Sequence, residues 1–259
     1  MAESITVAIE GPVARVTLNR PEVHNAFDEA TVRELTSAFT HLGEDPDVRV
    51  IVLAGAGKSF SAGADLNWMQ KVSRYTLEEN REDARHLEQM LAAMAKCPKV
   101  TIARVQGIAC GGGAGLVAAC DIAIASEDTQ FAFTEVRLGL VPAIIAPYVL
   151  EKVGPGAARA LFVSGARFPA TEAHRLGLIQ QVVPESELDA AVERVVADTL
   201  TVAPQAVAMI KRLLKRIEDK TPAEVAEDTV TTIAAARVSP EGQEGIRAFL
   251  EKRKPAWAA

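Results

Sequence analysis

Three short runs rich in β-branched residues, 48–53, 100–105 and 122–125, most constrain how this chain can fold. Each is too short for an ordinary helix and reads as a parallel strand buried on both faces. The first leads into a loop rich in Gly, Ala and Ser, 54–66. The second leads to Gly111-Gly112-Gly113, which opens a small-residue helix ending near Ala119. Strand, glycine-rich loop, helix and strand thus recur, which points to an α/β architecture with parallel strands.

Ahead of these runs, 5–10 and 13–19 read as two strands joined by Gly11-Pro12. A helix should follow over about 29–42 with Asp28 as its N-cap, and a long charged helix over 77–95, stopped by Cys97-Pro98. From Ala143 onward the character turns helical, with one more strand over 179–183. Past Pro184 helices are expected at roughly 187–202, 204–218, 222–237 and 240–251. The change of character divides the chain into a core, 1–190, and a helical region, 191–259. No Ser- or Pro-rich linker separates them, so the second part is expected to pack on the body or on a neighbouring subunit.

Composition removes several function classes. With 259 residues, 49% of them hydrophobic, the chain can bury a substantial core and is not a disordered segment. A net charge of −6 disfavours a duplex nucleic-acid binder, which needs a basic face for phosphates. Charges interrupt every apolar run, so no membrane partner is expected, and the opening residues lack the marks of an export signal. The cytoplasm is the expected compartment. Cys97, Cys110, Cys120 and the four histidines show no metal-site spacing; reduced structural thiols and no metal are expected.

Familiar motifs fail at defining positions. Gly57-Lys58-Ser59 would end a phosphate-binding loop, but Val52 stands where its first glycine is required. The run 111–116 resembles a dinucleotide fingerprint, with Leu116 at its last place. No serine sits between glycines as a nucleophile elbow demands. What remains is the pair of glycine-rich loops after buried strands, where backbone can approach a ligand closely and free N–H groups favour negative charge.

On these residues the sequence resembles the enoyl-CoA hydratase/isomerase (crotonase) family. The matching stretches are FSAGADLNWM (60–69), VQGIACGGGAGLVAACDIAIAS (105–126), FAFTEVRLGLVP (131–142) and EGIRAFLEKRKP (244–255), with Asn25-Ala26 and Gly177-Leu178-Ile179 as further matches. The resemblance implies a crotonase-type spiral of repeated ββα units with a C-terminal helical trimerisation region, assembled as a homotrimer or a dimer of trimers. It implies an acyl-CoA thioester as substrate, coenzyme A being part of that substrate and no separate cofactor being needed. An oxyanion hole of two backbone N–H groups maps to Ala64 and Gly112. Coenzyme A would lie beside Asn25, Ala26, Ala62, Ala64, Asp65 and Leu66, with Gly111 and Gly112 at the second loop. Trp68 would suit the acyl pocket, although core packing suits it equally. Lys252, from a neighbouring subunit, would meet a CoA phosphate, and Phe249 would line the adenine pocket.

Hydratases of this family typically use two glutamates. The second maps to Glu135, whose apolar neighbours would raise its pKa toward a value useful for proton transfer. The first is missing: its place holds Gly115. A single base suffices for proton transfer between C2 and C4, which is Δ3-Δ2 isomerase chemistry; hydration of a 2-enoyl-CoA through Glu135 is the leading expectation and isomerisation the close second. A glutamate introduced at Gly115 should favour hydration if it reaches the water site. The stretches 60–69 and 133–150 look most like bacterial methylglutaconyl-CoA-hydratase-like members. Asp65 is expected to cap its own loop, and Asp121 to satisfy backbone donors in a turn. The basic stripe Lys211, Arg212, Lys215 and Arg216 alone would support a third reading, a non-catalytic binding protein of this fold.

Overall fold

The computed structural model describes residues 3–258. Strands β1 (Ile5–Glu10) and β2 (Val13–Leu18) form an antiparallel hairpin, with β1 largely exposed and β2 mostly buried. In α1 (Glu29–Glu44), Asp28 accepts from Thr31 N at 3.0 Å as the N-cap, and Val32, Leu35, Phe39 and Leu42 form the buried stripe. The buried strand β3 (Val50–Gly55) leads through the first glycine-rich loop to α2 (Leu66–Val72), a short helix not expected from the sequence. Thr76 and Glu79 make a reciprocal capping box at the start of α3 (Leu77–Ala95).

Next come β4 (Val100–Val105), the three-residue β5 (Ile108–Cys110) and α4 (Gly112–Ala119), whose residues from Gly113 to Ala119 are all buried. They are followed by β6 (Ile122–Ser126), β7 (Gln130–Ala132), α5 (Ala146–Ser164) with a kink at Gly154, and β8 (Arg167–Pro169). Then come α6 (Ala170–Leu176), β9 (Gln181–Val183) and the helices α7 (Leu188–Leu200), α8 (Pro204–Ile217), α9 (Ala226–Val238) and α10 (Pro240–Leu250). The last strand begins at Gln181 rather than 179, because Leu178 and Ile179 are buried in the turn before it. Helix α9 starts later than 222 because Thr221 and Glu224 close a separate turn, the carboxylate accepting from Thr221 N and Oγ1.

The main sheet has the order β1-β2-β3-β4-β6-β9, parallel except for the first pair. A second sheet of three short strands, β5-β7-β8, stands off it. This α/β spiral matches the expected fold class. One core joins α1, α3 and α4 to the main sheet through residues such as Leu35, Phe39, Met94, Ala103 and Val117. The other face of that sheet is covered by Leu188, Ala191, Val192 and Val196 of α7, so the helix cut by the expected division near residue 190 still packs on the body. The helices that pack chiefly on one another begin at Pro204.

Three of the four cations in the basic stripe of α8 pair within the chain. Lys215 pairs with Glu218, and Arg216 lies 3.8 Å from Asp228. Lys211 reaches inward, donating to Asp121 Oδ2 at 2.7 Å and to Lys99 O at 2.9 Å. Asp121 accepts from Thr101 N and Oγ1 through the same oxygen, at 2.8 and 3.0 Å. It therefore satisfies a backbone donor, as expected, and also ties α8 to the body. Asp121→Ala should destabilise the protein by about 2–3 kcal/mol, because charged hydrogen bonds are lost and Lys211 is left half-buried without its counterion. Asp121→Asn should recover part of that loss, read from the urea unfolding midpoint.

Candidate active site

The first glycine-rich loop runs beside β5, with Ser61 bridging Ala109 in parallel. Ser61, Gly63 and Asp65 face inward, while Ala62, Ala64 and Leu66 face outward, an alternation set by extended backbone. The inward residues fix it. Ser61 Oγ donates to Asn25 O at 2.9 Å and accepts from Gly63 N at 3.2 Å. Asp65 Oδ1 accepts from Asn67 N and Trp68 N, capping α2, while Oδ2 accepts from Arg20 at 2.9 Å. Asp65 therefore caps its own loop.

Two amides are left free beside each other's loops. Phe27 N donates to Gly63 O at 2.8 Å, and Asp65 N donates to Phe27 O at 2.9 Å. The Phe27 backbone thus takes the peptide groups on either side of Ala64 and leaves Ala64 N–H with no backbone acceptor among the described residues. Gly112 is the first residue of α4, so its N–H has no acceptor inside the helix. The loops touch at Gly63, whose φ of 91° suits glycine. A methyl there would stand 2.8 Å from Cys110 O and 3.4 Å from Gly112 N. At Gly112 a methyl would drive into the Phe27 ring. Glycine at both places is what lets the two donors come together.

Glu135 begins a single 3-10 turn (Glu135–Leu138) just beyond β7. Its Oε1 lies 3.1 Å from where a Cβ on Gly111 would be, so Gly111 leaves room for the carboxyl at the mouth of α4. Glu135 Oε2 is buried and has no hydrogen-bond partner among the described residues. Burial pushes the Glu135 pKa up, against a smaller downward pull from its own backbone N–H. A buried acceptor left unpaired is costly, and such atoms gather where chemistry needs them. The geometry offers two N–H donors for a developing oxyanion and one carboxyl group beside them.

The whole chain has relatives of the same build. A family model described as enoyl-CoA hydratase/isomerase matches residues 8–259. The chain belongs to the enoyl-CoA hydratase/isomerase family. A crystal structure of an enoyl-CoA hydratase from Shewanella pealeana is 41% identical, covers 98% of this chain and 96% of its own, and superposes with a TM-score of 0.95. A crotonyl-CoA hydratase of Syntrophomonas wolfei is 32% identical over 97% of this chain and 96% of its own. A Delta(3,5)-Delta(2,4)-dienoyl-CoA isomerase of Arabidopsis thaliana is 32% identical over 99% of this chain and 96% of its own.

Within this enoyl-CoA hydratase/isomerase chain, the expected ligand residues divide by what their side chains do. Asn25, in the left-handed region at φ 53°, donates to Ala56 O and Ser59 O and accepts from Arg20 N, so its amide holds the loops together. Ala26 and Trp68 are buried; the indole lies 6.3 Å from the Phe27 ring and donates to Asp83 at 3.1 Å. Ala62, Ala64 and Leu66 form the outward face, Leu66 being 80% exposed. Phe249, in α10, is 82% exposed, and Lys252 follows in a left-handed conformation at φ 54°.

Three residues of the site escaped sequence reasoning. Arg20 links Ala26 O, Asp28 and Asp65; its only signal was a cation preceding a proline in an early loop. Phe27 lies against both glycine-rich loops but read as an ordinary core aromatic. Ile145 fills the space over Gly115, where a side chain would collide with its γ-methyl and lie 2.9 Å from its Cβ. This corrects the expectation for Gly115→Glu: the added carboxylate has no room. No local pattern links residues thirty positions apart.

The raised pKa of Glu135 means that the fold favours its neutral form. That contribution to stability is present at low pH and is lost as pH rises through the folded-state pKa. Glu135→Gln should therefore melt a few degrees higher than the parent at pH 8, with the gap closing below about pH 4.3, the ordinary glutamate value. Thermal unfolding followed by circular dichroism across that range checks both the sign and the window.

Proposed function

We propose that this protein is an enoyl-CoA hydratase that holds the thioester oxygen between Ala64 N–H and Gly112 N–H and moves protons with Glu135. The observation that carries this reading is the buried, unpartnered Oε2 of Glu135 beside the start of the helix whose first amide is free. Adding water to a 2-enoyl thioester puts negative charge on the thioester oxygen as the new C–O bond forms at C3. Two preorganised donors stabilise that charge, at about 3–4 kcal/mol each on mutational precedent. The Glu135 carboxylate takes a proton from the attacking water and returns one to C2. Its raised pKa brings the two roles closer together in driving force. Coenzyme A would lie along the outward face of Ala62, Ala64 and Leu66, and the methylglutaconyl-like acyl class rests on the sequence likeness of 60–69 and 133–150.

A second reading, migration of the double bond between the C2–C3 and C3–C4 positions with Glu135 as the only base, is favoured by the missing carboxylate at Gly115. The binding-protein reading is weakened, since three of the four stripe residues, Lys211, Lys215 and Arg216, have partners within the chain. Three free thiols suit the reducing cytoplasm, where we place the protein. No helix among the described residues is long and apolar enough to cross a membrane.

We also place the active assembly as a trimer or a dimer of trimers. Val230, Ile233, Val238, Ile246, Phe249 and Leu250 are large apolar side chains left exposed on α9 and α10, the kind of surface that an interface covers. In such an assembly Phe249 and Lys252 would serve a neighbour's ligand. Light scattering should report three or six copies; a fully active monomer would remove the shared site.

Glu135→Gln tests the chemistry. General acid–base catalysis contributes about two to four powers of ten, so kcat for hydration should fall at least about a hundredfold. Affinity for acetyl-CoA, measured by calorimetry, should barely change because the donors belong to the backbone. Near-normal turnover in that variant would move the search for the proton carrier away from Glu135.

A further inference from the structure

The start of α4 carries two glycines one helical turn apart, and each is covered by a different side chain. Gly115 N donates to Gly111 O at 3.1 Å, so the two positions are stacked along the helix. Over Gly111 stands the Glu135 carboxyl, with Oε1 3.1 Å from a would-be Cβ. Over Gly115 stands Ile145, so close that no side chain fits beneath it. Ile145 is 6% exposed, sits just before α5, and belongs to the same core as Leu116, Phe133 and Val149. The wall one turn along from the catalytic carboxyl is therefore a hydrocarbon surface fixed by the core.

We infer that Ile145 is the specificity-determining residue that sets how this site divides its substrate between hydration and double-bond migration. The inference rests on the proposed thioester chemistry at Glu135. Hydration needs a water held against C3 while the enolate charge develops, and a water needs two or more polar partners to be held. Ile145 and Gly115 offer no polar side-chain group on their side, so that water would depend on Glu135. Migration needs no water. One carboxylate takes a proton from C4 and returns it to C2, and an apolar wall leaves that transfer unhindered. Residue 145 therefore favours migration relative to hydration without touching the proton carrier.

The experiment measures the ratio of 3-hydroxyacyl-CoA to 3-enoyl-CoA formed from one 2-enoyl-CoA, separated by chromatography. In Gly115→Glu/Ile145→Gly the space of the isoleucine is given to a second carboxylate, and the ratio should rise at least about tenfold, the low side of what one acid–base group contributes. Ile145→Thr keeps the branched shape and guards against a misfolded double variant. Its hydroxyl should raise the ratio about threefold, the worth of one modest hydrogen bond. A residue with only a structural role would lower both rates together. A ratio within about twofold of the parent in Ile145→Thr, or in a folded double variant, overturns the inference when the parent itself turns over. A parent that forms neither product removes the proposed function, and the inference with it.

Discussion

Burying α4 on every side is the constraint around which this molecule is arranged. From Gly113 to Ala119 nothing on the helix reaches solvent, and none of its side chains is polar. Such a helix contributes hydrophobic stability on all its faces, and its first amides have no carbonyl within the helix to pair with. Gly111 N is satisfied by Ala132 O of the small sheet, and Gly112 N is left over. The free donor thus follows from how the helix is buried and from the absence of any side chain able to cap it.

The partner donor depends on the same packing. Phe27 lies against Gly112, and its backbone organises the loop around Ala64. Arg20, Asn25 and Asp65 hold that loop from behind with a closed set of hydrogen bonds. A polar network of this kind fixes geometry strongly when every member is satisfied. Against that background Glu135 Oε2, the one buried side-chain polar atom without a partner among the described residues, is conspicuous. It lies beside the start of α4, next to the unpaired Gly112 N–H.

Much of this was legible before any coordinates. The helix over 77–95 and the N-cap at Asp28 are strong local signals, and both are present. The parallel strands were readable because strands buried on both faces carry continuous apolar runs. The three-residue strands of the second sheet were not, because they are too short for any periodicity to show. At the site, the glycines and alanines pointed to backbone donors once the family resemblance was drawn. Ile145 gave no such signal. Its meaning depends on what is absent at Gly115, and a missing side chain leaves no pattern along the chain.

The fit of Ile145 over Gly115 also bears on how such a protein can change over generations. A carboxylate at 115 introduced first would overfill a core already closed by the isoleucine. A small residue at 145 introduced first would open a void beside a helix buried on all sides. Either single step lowers stability before any new chemistry is gained, so the two positions are locked as a pair. A chain exchanging both residues one at a time would pass through an intermediate of lower stability, so the local steric fit resists the exchange.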